Sequence, residues 1–584
     1  MGPRYLLLAG AGCSRSIGLI DRICRTTDLV PRFEARGITV LVNQACPLIP
    51  LGDQGCIIGS LFHRHGPARP LVPLNAAEAA SIVHRAGKTL SRSFWGGFVA
   101  GIAGADHSEV LRDPSGTFPC YYARVGSLTA FASDADILVA AGLPIDVDCE
   151  EIGRQLNRAF VPSPATALGG VRELLAGFSL RVPPGATQEA CWSPWDHVSI
   201  LEQEPDQSAE RLRRVVRHCV QAWAYDHGRL LLSVSGGLDS SIIAACLAAA
   251  EVETTCLTMF SDDPAGDERD FARTLCNDLG LPLIERPYRL EDIDIDEPLG
   301  AHLPRPRDRT QANAYERVHR EVASGIGAGA FVTGNGGDHV FGFSQSAAPI
   351  ADRYLTEGLG SGVARSLRDV CRQTGCSIFD AVAQAWMLLH GPVRRVQPNP
   401  LFLKPAFIEA LGADDLHHPW LDAPAAALPG KLAHVSTILR VQPNLEASRG
   451  SDLPVLSPLM SQPIVELCLG VPSWLWRTGG RDRALARRAF ARELPAAVVD
   501  RRLKGTPSRF AARLLDHYRP AIRERVLDGR LAANGIVDKS AIERTLAGEN
   551  PVPDLERVRI LEIVNAEAWI RHWTGLQQAA LRID

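Results

Sequence analysis

The sequence predicts an α/β chain of two unlike halves. Residues 1–200 read as an α+β unit of sheets packed with helices. Residues 205–584 read as a doubly wound parallel sheet followed by a helical C-terminal extension. Three observations carry this. A length of 584 residues is too great for one ordinary core. Before residue 200 the apolar runs are short and separated by Gly, Pro and Asp, whereas after 205 they are continuous and alternate with helical patterns, as strands buried on both faces require. Between the two, 193–208 holds Pro194, Pro205 and mainly polar residues, which marks the boundary.

Taken in order, Arg4–Ala9 predicts a first strand ending in a glycine turn. Ile38–Val42, Gly97–Ile102, Tyr121–Val125 and Leu128–Ala132 predict further strands, with helical patterns at Ala76–Ala86 and Asp148–Asn157. In the second half a strand at Leu230–Val234 leads through SGGLDSS to a helix at Ile242–Ala250. Then come a strand at Thr254–Phe260, a helix at Glu268–Leu279, a strand at Leu283–Arg286, a helix at Gln311–Ser324 and a strand at Ala330–Thr333. Beyond about 350 helical patterns dominate, broken by Pro-rich connectors at 392–405 and 418–429.

Composition narrows the function. With 46% hydrophobic and 22% charged residues the chain is globular, and a formal net charge of −4 argues against a nucleic-acid partner. The longest apolar-rich run, near Ile242–Ala250, is too short to span a bilayer, so no membrane partner is expected. Fourteen cysteines form no C-x-x-C pair, Cys371 and Cys376 being the closest two. They read as buried, reduced thiols of a cytoplasmic protein, not as zinc ligands. His63-Arg64-His65 and His417-His418 lack partners at ligand spacing and read as surface or loop residues. Trp474 and Trp476 read as packing residues.

The chemistry concentrates in SVSGGLDSS, residues 233–241, where a strand ends and a helix begins. Gly236 and Gly237 permit positive φ and close approach of backbone N–H groups to a ligand. Ser235, Ser240 and Ser241 add hydroxyls, and the helix directs its positive end to the same point. This suits a pyrophosphate. Asp239 would repel phosphate without a cation between them, so it implies Mg²⁺. The Walker spacing G-x-x-x-x-G-K-[ST] is absent.

These residues resemble the pyrophosphate loop of ATP pyrophosphatases in the form found in the asparagine synthetase superfamily. FVTGNGGDHVFG (331–342) resembles that family's second phosphate loop, DERDFARTLCNDLG (267–280) its helix after the second strand, and RDRALARRAF (481–490) and RRLKGTPS (501–508) its C-terminal basic segments. RDPSGTFPCYYARVGSLTAFASD (112–134) and VPPGA (182–186) resemble its glutaminase-type domain, so the N-terminal half is expected to be an Ntn-hydrolase-like sandwich. The resemblance implies ATP and Mg²⁺ as cofactors. Leu232, Ser233 and Met259 would lie near the adenine. Ser235, Gly236, Gly237, Asp239, Ser240, Gly334, Gly336, Gly337 and Arg483 would bind the nucleotide. Asp239 and Asp338 would bind the metal, and Lys504 would join both aspartates in catalysis by neutralising charge that develops during acyl transfer. Arg483 stands where relatives often have lysine.

Two departures redirect the reading. Glutamine-using members carry a nucleophilic cysteine at residue 2, whereas this chain has Gly2 and Pro3. Cys13 has no free amine to act as its base, so no glutamine hydrolysis is expected. Asn335 stands where asparagine synthetases have Glu and β-lactam-forming relatives Tyr, and an amide cannot act as a general base. His339, close by, reads as structural. Together these features look most like a lasso-peptide macrolactam cyclase. The implied reaction adenylates an Asp or Glu side chain of a precursor (core) peptide and closes the ring with the peptide's N-terminal amine. A leader-peptide protease and a leader-binding protein are the implied further partners. The alternatives are an asparagine synthetase-like or β-lactam synthetase-like enzyme using ammonia or another amine and, more remotely, a non-catalytic ATP-binding protein.

Overall fold

In a computed structural model of the chain, residues 2–580 are described except 11–16, 72, 105, 183–186, 200–203, 262, 308, 392–395, 413–415, 448–452, 503–507 and 549–550. The first half is built on two six-stranded antiparallel sheets. One runs in the order Arg172–Glu173, Tyr121–Val125, Leu128–Ala132, Tyr5–Ala9, Ile38–Val42, Val30–Ala35. The other runs Glu189–Ala190, Phe178–Val182, Ser108–Arg112, Phe94–Ala103, Gly55–His63, Leu48–Pro50.

Side-chain alternation explains why the sheets stack. Tyr5, Leu7 and Ala9 share a core with Ile58, Val99 and Val110 of the opposing sheet. Their neighbours Leu6 and Leu8 point the other way and pack with Ile23 and Leu138, from the helices Ile17–Thr26 and Ala135–Ala140. On the far side Ile57, Leu61 and Phe98 cover Ile82 and Leu90 of the helix Ala76–Ser93, which begins in a reciprocal Asn75–Glu78 capping box. The result is the expected α+β sandwich, helix layer outside each sheet.

The second half carries a five-stranded, wholly parallel sheet in the order Leu283–Pro287, Thr254–Phe260, Leu230–Ser233, Ala330–Val332, Val455–Leu456. From its central strand the chain first winds to one side and later returns to the other. The reversal opens a crevice at the carboxyl ends of Leu230–Ser233 and Ala330–Val332, the position at which open α/β sheets bind ligands. The predicted strands and helices of this half are present. The helix after the first strand starts at Leu238, earlier than the expected Ile242, so the glycine motif runs directly into its first turn.

The halves are not separate bodies. Leu212, Val216 and Val220 of the helix Pro205–Ala224 belong to the same apolar core as the inner face of the sandwich. The C-terminal helices Ser508–His517, Arg519–Leu527 and Asp554–Ala580 place Leu514, Val526 and Trp569 in the cluster that holds Leu6, Leu8 and Ile23. A buried ionic network joins them as well. Arg112 donates to Glu173 at 2.6 Å and to Glu446 at 3.1 Å. Arg305 pairs with Glu173 at 2.5 Å, and the Tyr121 hydroxyl donates to Glu446 at 2.8 Å. Burial would raise the Glu173 carboxyl, but the guanidinium groups of Arg305 and Arg112 outweigh it and hold it down at about 2.

All thirteen described cysteines are free and eight are buried. Among the described residues no helix is long and apolar enough to cross a membrane. His417 is exposed, as expected, but His418 is not a surface residue. It is buried in its loop, where Nδ1 accepts the Trp420 N–H at 3.1 Å. Trp476 is buried and Trp474 half-buried, which fits their reading as packing residues.

Candidate active site

The first loop is fixed by sterics. Gly236 has φ +60, and a Cβ there would collide with the Phe271 side chain and lie 2.9 Å from its carbonyl carbon. Only glycine meets both demands. The turn delivers the chain to Gly237, whose N–H donates to Ser235 Oγ at 3.3 Å and which precedes the twelve-residue helix Leu238–Ala249. Among the described residues no side-chain hydrogen bond caps that helix at Gly237, and Gly237, Leu238, Asp239 and Ser240 of its start line the crevice, where an anion would meet the positive end of the helix. Arg501 buttresses the loop from behind. It donates to the Ser235 carbonyl at 2.9 Å, pairs with Glu268 and stacks over Phe271.

The second loop is packed onto the first through its glycines. A Cβ on Gly334 would lie 2.9 Å from Ser240 N, one on Gly336 (φ +89) would strike Met460, and one on Gly337 would lie 2.5 Å from Asp239 Cγ. This close approach brings Asp338 to Asp239. Both carboxylates accept from the same Arg483 nitrogen, Asp239 at 2.9 Å, while Arg483 Nε donates to Asp482 at 2.8 Å. Burial would lower the Arg483 pKa, but the surrounding carboxylates of Asp239, Asp338 and Asp482 raise it above its ordinary value.

The predicted metal pair is therefore assembled around one cationic nitrogen. Two carboxylates that reach one nitrogen, together with phosphate oxygens, supply the oxygen donors Mg²⁺ takes in nucleotide sites. Among the described residues no group of three or more His, Cys, Asp or Glu forms a metal cage, so the phosphates would have to complete the shell. The pair fits Mg²⁺ on that basis.

Around these residues lies a cleft of about 320 Å³, lined by Ser233, Ser235, Gly237, Asp239, Ser240, Gly334, Gly336, Asp338 and Arg483 among the expected residues. Gly236 and Gly337 are buried behind its wall. Leu232 and Met259 do not line it. Leu232 is fully buried in the central strand, and Met259 is half-buried against two apolar clusters. Lys504 lies outside the described residues, as does all of VPPGA after Val182. His339 lines the cleft, and exposed Asn335 also lines it, with its N–H held by Thr333 Oγ1 at 2.9 Å.

Sequence reasoning missed several wall residues. Arg487 and Arg501 sit in the basic segments but had no assigned role, and each is anchored: Arg487 donates to Asp482 at 3.0 Å and to the Val499 carbonyl at 2.6 Å. With Arg483 and the exposed Arg502 they make the wall cationic, which suits a polyphosphate. Thr333 and Asn444 also line the cleft. Asn444 opens the short helix Asn444–Ala447 and lies more than a hundred residues from either loop, so no local pattern exposed it.

At the other end of the molecule, Gly2, Pro3 and Arg4 lead into the central strand Tyr5–Ala9. Asn43 holds this entry by accepting the Arg4 N–H at 3.0 Å and donating to the Gly2 carbonyl at 2.9 Å. None of these three residues carries a thiol or hydroxyl.

The Gly337–Asp239 contact gives a direct test. Gly337→Ala forces Asp239 away from Asp338, an overpacking that costs about 1–3 kcal/mol. The rise in melting temperature that ATP with Mg²⁺ gives the parent protein should disappear. A variant that keeps the full rise would refute this account of the loop packing.

Comparison with protein families bears on both halves. The asparagine synthase family model matches residues 211–571, and a glutamine amidotransferase domain model matches residues 79–193. Asparagine synthetase [glutamine-hydrolyzing] 1 of Bacillus subtilis is 21% identical over 434 residues, 68% of this chain and 65% of that protein. The chain thus spans less than two thirds of that relative's length. Among solved structures, an allosteric regulatory enzyme of purine biosynthesis is 12% identical with a TM-score of 0.22, over 56% of this chain and 89% of that one. A tRNA thiolase of Methanococcus maripaludis is 13% identical with a TM-score of 0.18, over 44% and 78%. At such TM-scores these two likenesses carry no argument.

Proposed function

The chain belongs to the asparagine synthase family, and on that premise we propose that it is an ATP-dependent amide ligase, forming AMP and pyrophosphate, whose amine comes from its own peptide substrate. The observation that carries this reading is the convergence of the two glycine loops, which brings Asp239 and Asp338 to one Arg483 nitrogen beside an uncapped helix N-terminus. We divide the chain into a glutaminase-type domain over 1–200 and an amide-forming domain over 205–584.

In the first step a substrate carboxylate attacks the α-phosphorus of ATP, the P–O bond of a mixed acyl-phosphate anhydride forms, the bond from the α-phosphorus to the bridging oxygen breaks, and pyrophosphate leaves. Ser235, Ser240 and the first-turn N–H groups hold the departing pyrophosphate, and the arginine wall offsets its charge. Asp239 and Asp338 would hold Mg²⁺, which neutralises phosphate charge when bound. In the second step the amine nitrogen bonds to the acyl carbon, the C–O bond to AMP breaks, and the amine gives up a proton. Lys504, by resemblance, offsets the negative charge of that step. Asn335 cannot take the proton.

The choice of amine rests on the first half. The resemblance puts the cysteine of glutamine-using members where this sequence has Gly2, which favours an amine already carried by the substrate. The substrate we favour is a leaderless precursor peptide. Its Asp or Glu side chain is activated and its N-terminal amine closes a macrolactam, a leader-peptide protease and a leader-binding protein acting beforehand. The similarity to the Bacillus subtilis asparagine synthetase favours a second reading, in which ammonia amidates aspartate or another small carboxylate.

The test is intact mass on a core peptide from the neighbouring reading frame, incubated with the protein, ATP and Mg²⁺. Loss of one water with release of AMP is expected. Asparagine formed from aspartate and ammonia, with the peptide unchanged, would overturn the cyclase reading.

A further inference from the structure

Fifteen large hydrophobic residues are exposed among the described residues, and nine of them fall between 354 and 388. Such a concentration is not the scattered exposure every protein shows. It has a clear source in the helix Ile378–His390, sequence IFDAVAQAWMLLH. Ser377 caps this helix by accepting the Asp380 N–H at 3.1 Å. One apolar stripe, Ala381 and Ala385, faces inward against Ala347, Ile350 and Val370. A second stripe at helical spacing, Phe379, Val382 and Trp386, faces outward with exposures of 86%, 48% and 63%. Ile378 and Met387 flank it, and Leu355 and Leu359 are exposed on the adjoining helix Ala348–Glu357 and just past its end. A helix apolar on nearly every side is built to be covered on nearly every side.

We propose that this face is covered by the same face of a second copy of the chain, in an isologous dimer. Area supports one such occupant. At about 150–250 Å² for each aromatic side chain and less for each aliphatic one, the nine residues at these exposures present several hundred Å² of apolar surface between them, the order of the roughly 800 Å² each partner contributes to a standard interface. Charge supports a copy of this chain over an acidic lipid surface. Between 348 and 390 four acidic residues, Asp352, Glu357, Asp369 and Asp380, balance four arginines, Arg353, Arg365, Arg368 and Arg372. The lobe therefore has no basic excess to draw it to anionic lipid. The exposed members carry both signs, Arg365, Arg368 and Arg372 against Glu357 and Asp380, as a surface that must complement itself requires.

The lobe also adjoins the candidate active site. Gln373 of the helix Ser361–Thr374 donates to the Ser344 carbonyl, just after the second loop, at 3.1 Å. A Cβ on Gly480 would meet Arg372, so the same helix abuts the segment leading to Arg483.

The experiment is sedimentation velocity on the full chain over a micromolar concentration series. It compares the parent with Phe379→Ser/Trp386→Ser and with Val382→Arg, and pyrophosphate exchange serves as the check on folding. A dimer is expected for the parent, with association weakened roughly tenfold or more in each variant at unchanged exchange. A parent that stays monomeric, or a dimer that either variant leaves intact, would overturn the proposal. A monomer that floats with phosphatidylglycerol vesicles would overturn it in favour of a lipid surface.

Discussion

With the carboxylate substrate present, Asp239→Asn should leave a folded protein that no longer exchanges pyrophosphate into ATP, with a loss of about a thousandfold, or about 4 kcal/mol. The substitution keeps the shape and removes the charge. Asp239 is only 8% exposed and sits in the first turn of a helix that is buried along most of its length, so an isosteric change is needed to isolate the charge from the packing. Arg483 survives the change with two partners, Asp338 and Asp482, and should not be left as an unpaired buried cation. What disappears is half of the carboxylate pair that would hold the cation against the phosphates. Asp338→Asn should lose a similar amount. The double variant should lose little more than either single one, because both residues act through one centre. Exchange of labelled pyrophosphate and circular dichroism on the same samples decide the matter. Exchange within tenfold of the parent would remove Asp239 from the reaction.

The carboxylate pair also shows what the sequence makes legible. Each loop announces itself, since Gly236 and Gly336 take positive φ, which glycine alone adopts without strain, and strand–glycine–helix order is a local property. The parallel strands are equally plain because burial on both faces removes the polar alternation that blurs a strand reading. What escapes is whatever depends on distant packing. The strand Val455–Leu456 is two residues long and pairs with Phe331 and Val332, too short to leave a period. Leu232 is fully buried in the core while Met259 is only half-buried, a matter of which face is covered and not of spacing. Asn444 reaches the cleft because its neighbour Glu446 is drawn inward by Arg112 and Tyr121, some three hundred residues earlier.

That inward pull yields the last expected result. Arg112→Met should destabilise the protein by about 3–5 kcal/mol, the cost of breaking a buried ion pair from one side. The Arg112 guanidinium is fully satisfied: it donates to the Phe118, Gly116 and Leu174 carbonyls at 2.7, 3.0 and 2.9 Å as well as to Glu173 and Glu446. Methionine fills much of its volume but leaves both glutamates short of a partner, and those glutamates tie the sandwich to the helix that carries Asn444. The pH dependence identifies the mechanism. Glu173 has a folded pKa of about 2, below its ordinary 4.5. A depressed carboxylate contributes stability that is present above the unfolded value and lost as pH falls toward the folded one, so the parent should weaken between about pH 5 and pH 2. Asp113, which burial raises to about 6, opposes this, because its contribution is lost as pH rises through that value. In Arg112→Met the Glu173 carboxyl moves back toward 4.5, and the loss of stability on acidification should become shallower than in the parent. Urea midpoints at neutral pH and near pH 4 measure both effects. A lower midpoint with an unchanged acid slope would mean that Arg112 acts by packing alone; an unchanged midpoint would mean that the network does not hold the two halves together.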